Sequence, residues 1–210
     1  MGAIEYTNTT DNGNENCLDR DRCNVKVRGL LMTTPKMLVD RANYTIYEAK
    51  LRVTRLSGAY DDIDMNIKKE IVESVEELVG NDVIVDGTLR TYKCADGSSK
   101  TNLLVYSIHE VPESAEEHIN EVELHGKIVS LRNTKSKDGT DICEARIEIK
   151  GRYNKMSRVT AVGWGGVASR LQDIGIGGTV FAEGRVQSHE MLMQNDGKKS
   201  ALEVAVSFLH

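Results

Sequence analysis

Between Asn154 and Trp164 an extended segment alternates in character. Met156, Arg158, Thr160, Val162 and Trp164 fall on one side of it, and Val159 and Ala161 fall on the other. A face that carries an Arg and the only Trp of the chain is odd for a core. Guanidinium groups meet phosphates or lie flat on rings, and an indole offers such rings a platform. The chemistry is that of holding a polyanion with planar substituents, not of transforming it. A structural reading stands beside this one, with Trp164 packed under a helix that begins near Gly166.

Basic residues collect in the loops that would flank this face. Arg132, Lys135 and Lys137 sit between two strand-like runs, Arg152 and Lys155 precede the segment, and Lys198 and Lys199 lie in a late hairpin. Arg146 and Arg185 fall on strands, where either could face inward or outward. With Arg146 left aside, and together with Arg158, Tyr153, Met156, Met191 and Trp164, these residues are expected to make a groove of phosphate-binding cations with limited stacking.

Signatures of catalysis are missing. There is no G-x-x-x-x-G-K-[ST], no H-E-x-x-H and no G-x-S-x-G. Gly175–Gly178 follows a helix and precedes a strand, the reverse of the order a dinucleotide loop needs. The five His residues have no metal-ligand spacing, and the four Cys form no C-x-x-C pair. Asp61, Asp62 and Asp64 lack a second cluster to complete a metal site. The expectation is a non-enzyme with no cofactor, no metal and no catalytic residue.

The elements that must position the face are written twice. "VIVDGTL" (Val83–Leu89) returns as "VFAEGRV" (Val180–Val186), and "VKVRG" (Val25–Gly29) as "VELHG" (Val122–Gly126), each 97 positions on. "YEAKLRV" (Tyr47–Val53) returns as "CEARIEI" (Cys143–Ile149) after 96. Residues 95–108 return at 195–208 after 100. Four collinear matches make the chain two copies of one small domain. Each copy reads strand-strand-strand-helix-strand-strand. In the first, Ile67, Ile71, Val75, Leu78 and Val79 fall at helical spacing before Gly80; in the second, Val167, Leu171 and Ile174 share a helical face. Five strands with a helix between the third and fourth is the plan of the OB-fold, a Greek-key barrel. The fold class is therefore all-β, two tandem OB barrels with one short helix each, and Gly87 and Gly184 supply the bend that closure needs.

Expected boundaries are a mobile tail over 1–23, a first barrel over 24–111, a linker over 112–120 and a second barrel over 121–210. Net charge is −5 on 27 Lys and Arg against 32 Asp and Glu. Up to Glu117 the balance is 14 against 21, and beyond it 13 against 11, so the first copy repels polyanions and the second does not. Asp62, Asp64 and Asn66 make one side of the first copy's third strand an acidic edge, while Tyr44, Tyr47, Tyr60 and Tyr92 offer it a stacking or dimer surface. No apolar run is long enough to span a membrane and no signal peptide opens the chain. With reduced thiols favoured over a Cys17–Cys23 pair, the expected location is cytoplasmic.

Residues 121–208 resemble the bacterial single-stranded DNA-binding protein family. The likeness rests on a third strand ending in an apolar residue and Gly, the helix with "VAS" (Val167–Ser169), the "E-G" of Glu183–Gly184, a hairpin containing "DG" (Asp196–Gly197) and a final apolar strand. The resemblance implies sequence-tolerant binding of single-stranded DNA, RNA being a possible partner, in replication, recombination or repair. It implies a contact from Arg158, and a homodimer presenting four barrels. Two departures weaken it. Met156 and Met191 occupy positions where the family stacks bases on aromatics, which leaves Tyr153 to compensate and shifts binding toward phosphates. The family's acidic C-terminal tail, which recruits replication partners, is absent from "VSFLH". The alternative is an adaptor that docks a replication or conjugation protein on the acidic first copy.

Overall fold

The computed structural model describes residues 21–41, 44–94, 97–112, 114–115, 117–151, 156–192 and 198–210. Residues 1–20 of the expected N-terminal tail, Cys17 among them, lie outside these, and so do Arg152, Tyr153 and Lys155; the last two tail residues, Arg22 and Cys23, belong instead to the first strand. Alternation along Arg22–Leu31 (β1) buries Cys23, Val25, Val27 and Leu31 and leaves Asn24, Lys26 and Leu30 outside. The strands that follow are Lys36–Arg41 (β2), Tyr44–Thr54 (β3), Tyr60–Lys68 (β4), Asp82–Lys93 (β5) and Ser99–Glu110 (β6). Antiparallel pairings β1–β3, β3–β4, β5–β6 and β1–β5, with a short parallel β4–β6 contact, close the first barrel.

The second copy closes in the same order. Its elements are Asn120–Lys135 (β7), Asp141–Lys150 (β8), Met156–Trp164 (β9), a helix over Gly166–Ile174, Thr179–Leu192 (β10) and Lys198–Leu209 (β11). β7 pairs with β8, β8 with β9, β9 in parallel with β11, β11 with β10, and β10 with β7. The two barrels share one continuous sheet, because β1 also pairs antiparallel with β7, with Val25 opposite Val122. The fold is two tandem OB barrels.

Two local readings change. The first copy has six strands, because its first strand is split: β1 stops at Leu31 and β2 resumes at Lys36. Pro35 has no N–H to give a ladder, and Thr33 Oγ1 accepts the Lys50 N–H at 2.9 Å. The second copy crosses the same place unbroken, with a register shift between Ile128 and Ser130. The helix expected over the first copy's Ile67–Val79 shrinks to one 3-10 turn, Lys69–Ile71, followed by Val72–Glu76 (α1). Ile67 stays in β4 because pairing with β3 runs on to Lys68, so that part of the periodicity is that of a strand. The second helix (α2, Gly166–Ile174) forms as the spacing predicts, with Leu171 buried.

Gly87 and Gly184 mark register shifts against β6 and β11. A Cβ on Gly87 would lie 2.4 Å from the Leu104 carbonyl oxygen, and one on Gly184 would lie 2.1 Å from that of Ala205. Only glycine lets the strands approach so closely at these corners. Among the described residues no helix is long and apolar enough to cross a membrane.

Candidate nucleic-acid interface

Strand β9 presents the expected face. Met156, Arg158 and Trp164 are exposed on it, while Ser157, Val159 and Ala161 are buried in the barrel. Val162, expected outside, is buried; α2 packs on the other side of the strand, where a Cβ on Gly163 would meet Val167 and Leu171. Trp164 keeps 38% of its surface in solvent, so it does not fill the space under α2.

Register brings neighbours to this face that no single strand reveals. Glu148 lies opposite Arg158 and its Oε2 accepts the Arg158 Nε–H at 2.9 Å. Glu144 lies opposite Arg132, 3.7 Å from its guanidinium, and Asp141 Oδ1 accepts from Lys135 Nζ at 2.7 Å. Three of the expected cations thus already hold a carboxylate from β8, although all three remain exposed. Lys137 is exposed in the β7–β8 turn. Arg185 is exposed on β10 beside the first half of β7, where β10 pairs with Val122 and Glu123, and so stands apart from the Arg132–Arg158 face. Met191, Lys198 and Lys199 belong to the β10–β11 hairpin by backbone pairing, and their side chains lie outside the description. Arg146, whose direction alternation along the sequence left open, is exposed in the middle of the face, between Ser130 and Thr160.

The acidic edge expected on the first copy is largely neutralised in place. Arg52 holds Asp62 through Nε at 2.8 Å and Nη2 at 3.0 Å, and these bonds keep the Asp62 carboxyl below its usual range. Asp64 meets Lys100 at 2.9 Å and Lys50 at 3.4 Å. Burial alone would lower the Lys100 pKa, but Asp64 and Glu48 outweigh it and leave it raised. Asp61 turns inward, fully buried against Arg55, and accepts the Ser188 N–H of β10 at 2.6 Å. No group of acids, His or Cys among the described residues could hold a metal ion.

Tyr60 covers the Arg52–Asp62 pair. Its ring lies 4.0 Å from the Arg52 guanidinium carbon, and the tyrosine is 58% exposed. With the third strands 96 positions apart, Tyr60 corresponds to Met156. An exposed aromatic ring thus stands in the first copy where the second has Met156. Arg52 and Asp62 correspond to Glu148 and Arg158: the same cross-strand ion pair occurs in both copies with its charges exchanged.

The copies also grip each other reciprocally. The β5–β6 hairpin reaches β9, where Thr91 Oγ1 donates to the Arg158 carbonyl at 2.8 Å and accepts the Arg158 N–H at 3.2 Å. The β10–β11 hairpin reaches β4 through Ser188 and Asp61. Thr91 and Ser188 are 97 positions apart and correspond.

This closed pair of barrels aligns with the crystal structure of wild-type single-stranded DNA binding protein from Thermus aquaticus. The TM-score is 0.71 at 17% identity, over 91% of this chain and 93% of that one. This chain has the fold of a two-barrel single-stranded DNA-binding protein. A deletion mutant of the Thermus aquaticus protein aligns likewise, with a TM-score of 0.69 at 16% identity over 91% and 94% of the two chains. No protein-family model matches the sequence, and no curated protein matches it. The likeness to the single-stranded DNA-binding proteins is thus one of architecture, and what the chain binds is argued from its own side chains.

Proposed function

We propose that the chain binds single-stranded DNA with little regard to sequence, through phosphate contacts and a few stacking platforms. The observation that carries this is the outward face of β9, where Arg158 and Trp164 are exposed on one side of an OB barrel. Arg132 and Arg146 extend the cationic surface across β7 and β8, and Tyr60 adds a ring on the first copy. Such a surface suits a flexible polyanion whose bases are free to stack. RNA shares these features, and competition between oligo-dT and oligo-U measures the preference. A role in replication, recombination or repair in the cytoplasm accords with this reading, as does a homodimer presenting four barrels, which sedimentation mass tests directly.

The experiment is a titration with oligo-dT at two salt concentrations, followed by Trp164 emission. Saturable quenching that weakens as salt rises supports the reading; an unchanged spectrum with no retention of oligo-dT overturns it. A second reading, a protein-docking barrel, is favoured by the first copy's split strand. Leu30, Met32, Met37 and Leu38 are all exposed there, whereas the second copy carries Lys127, Val129, Asn133 and Thr134 in the corresponding positions. Charged substitutions at Met37 and Leu38 that leave oligo-dT affinity intact but abolish association with a protein partner would favour it.

A further inference from the structure

Ser130, Arg146 and Thr160 stand side by side on three adjacent strands. The register sets Ser130 of β7 opposite Arg146 of β8, and Arg146 opposite Thr160 of β9. Directly opposed residues have Cβ atoms about 4.5–5.5 Å apart, so the Arg146 side chain springs from between two hydroxyl-bearing residues. None of the three side chains has a hydrogen-bond or ion-pair partner among the described residues. Their neighbours differ: Arg132 and Arg158, in the adjacent rows, are each tied to a glutamate.

The row lines a cleft of about 550 Å³, and part of its wall comes from the other copy. Ser98–Thr101, at the start of β6, contribute to the lining. Lys100 is fixed there by Glu48 and Asp64 of its own barrel. Two acids also line the cleft, and both are engaged. Glu144 faces Arg132, and Glu203 accepts from Gln187 at 2.6 Å and lies 3.2 Å from His189 Nδ1. That leaves an exposed guanidinium with no partner among the described residues and hydroxyls on the adjacent strands, at the wall of the cleft.

We propose that the Ser130–Arg146–Thr160 row is a phosphodiester site, and that the cleft around it is shared by the two copies. The inference rests on the reading that this face takes a single strand, and it makes that strand pass from the second barrel toward the first. A guanidinium fork with hydroxyls on the two adjacent strands suits the non-bridging oxygens of one phosphate. Inorganic phosphate offers the same oxygens, so the two sources are separated by experiment.

The test uses the full chain. Arg146→Gln should lower the slope of log affinity against log salt by about 0.7, the value for one lost phosphate contact to a single strand. Its melting temperature should be unchanged, because the side chain is exposed. Thr160→Val should weaken binding with no change in slope. Ser99→Phe, an exposed substitution on the first copy's wall, should weaken binding severalfold by filling the cleft. An unchanged slope in Arg146→Gln, with wild-type protein still binding oligo-dT, overturns the site alone; full affinity in Ser99→Phe removes the first copy from it. Should wild-type protein not bind oligo-dT, the functional reading fails separately. Protection of Arg146 from phenylglyoxal by inorganic phosphate would then keep the anion site, and absence of protection would end it.

Discussion

Val25 and Val122 face one another across the β1–β7 junction, and they are the same residue of the two copies. A repeat of 97 and an antiparallel register that pairs 25 with 122 together place this pair on a local two-fold axis. The pairs flanking it are counterparts of each other: Lys26 opposite Glu121 mirrors Asn24 opposite Glu123, and Val27 opposite Asn120 mirrors Cys23 opposite Leu124. Gly87 pairs with Val25 on one side, and Gly184 with Val122 on the other. The sequence repeat thus becomes a palindromic row of four residues across one sheet.

The corners of that row are expected to tolerate no side chain. Gly87→Ala and Gly184→Ala should each destabilise the protein by about 1–3 kcal/mol, the usual cost of overpacking. At Gly166 a Cβ meets nothing within 4 Å, so Gly166→Ala should be neutral or slightly stabilising. Urea unfolding of the three variants checks this; equal stabilities would refute the close-approach account.

Asp61 fastens one copy to the other. Burial tends to raise its pKa, but the bonds from Arg55 and Ser188 outweigh it and hold it below the usual carboxylate range. Asp61→Asn should cost about 1–3 kcal/mol, since it weakens a buried charged acceptor. The folded pKa lies below the unfolded value of about 3.9. The stabilisation is therefore complete above that value and lost as pH falls through the folded pKa. Below about pH 4 the wild-type protein should lose stability more steeply with acid than Asp61→Asn; parallel curves would exclude the carboxylate as the cause.

Trp164 is half in water, and its substitution separates binding from folding. Trp164→Ala should remove roughly 1–3 kcal/mol of oligo-dT affinity through lost stacking, with the salt slope nearly unchanged. Melting should shift little. A large fall in melting temperature with unaltered affinity would instead assign the indole to the support of α2.

Tyr60 tests whether the labour is divided as overall charge suggests. Its ring is backed by a guanidinium and open to solvent on the other side. Tyr60→Ala should therefore lower oligo-dT affinity by more than Met156→Ala, within the same range of about 1–3 kcal/mol. The reverse order would favour an interface confined to the second copy.

Much of this architecture is readable along the chain because it obeys a period. Alternation names the buried side of β1 and β9, and the repeat of "acid-Gly" marks both barrel corners. What depends on register between strands is not readable in that way. Arg158 looks like a free cation until Glu148 is set opposite it, and Asp62 looks like a bare acid until Arg52 is. Arg146 is the converse case, a residue of undecided direction whose position between Ser130 and Thr160 appears only when three strands are aligned. The break in the first copy's first strand did leave a mark in Pro35. The shortness of α1 did not, since Ile67 satisfies a helical and a strand period at once.

The exchanged pair, Arg52 with Asp62 against Glu148 with Arg158, has a consequence for any polymer lying across both barrels. A perfect two-fold axis running through a bound strand's midpoint reverses its direction, so two identical barrels would accept the 5′-to-3′ and 3′-to-5′ orientations equally. Here rotation about the Val25–Val122 axis brings a positive group onto a negative one, and Tyr60 onto Met156. Fusing the two copies into one chain let them differ, and their difference leaves the particle with a head and a tail.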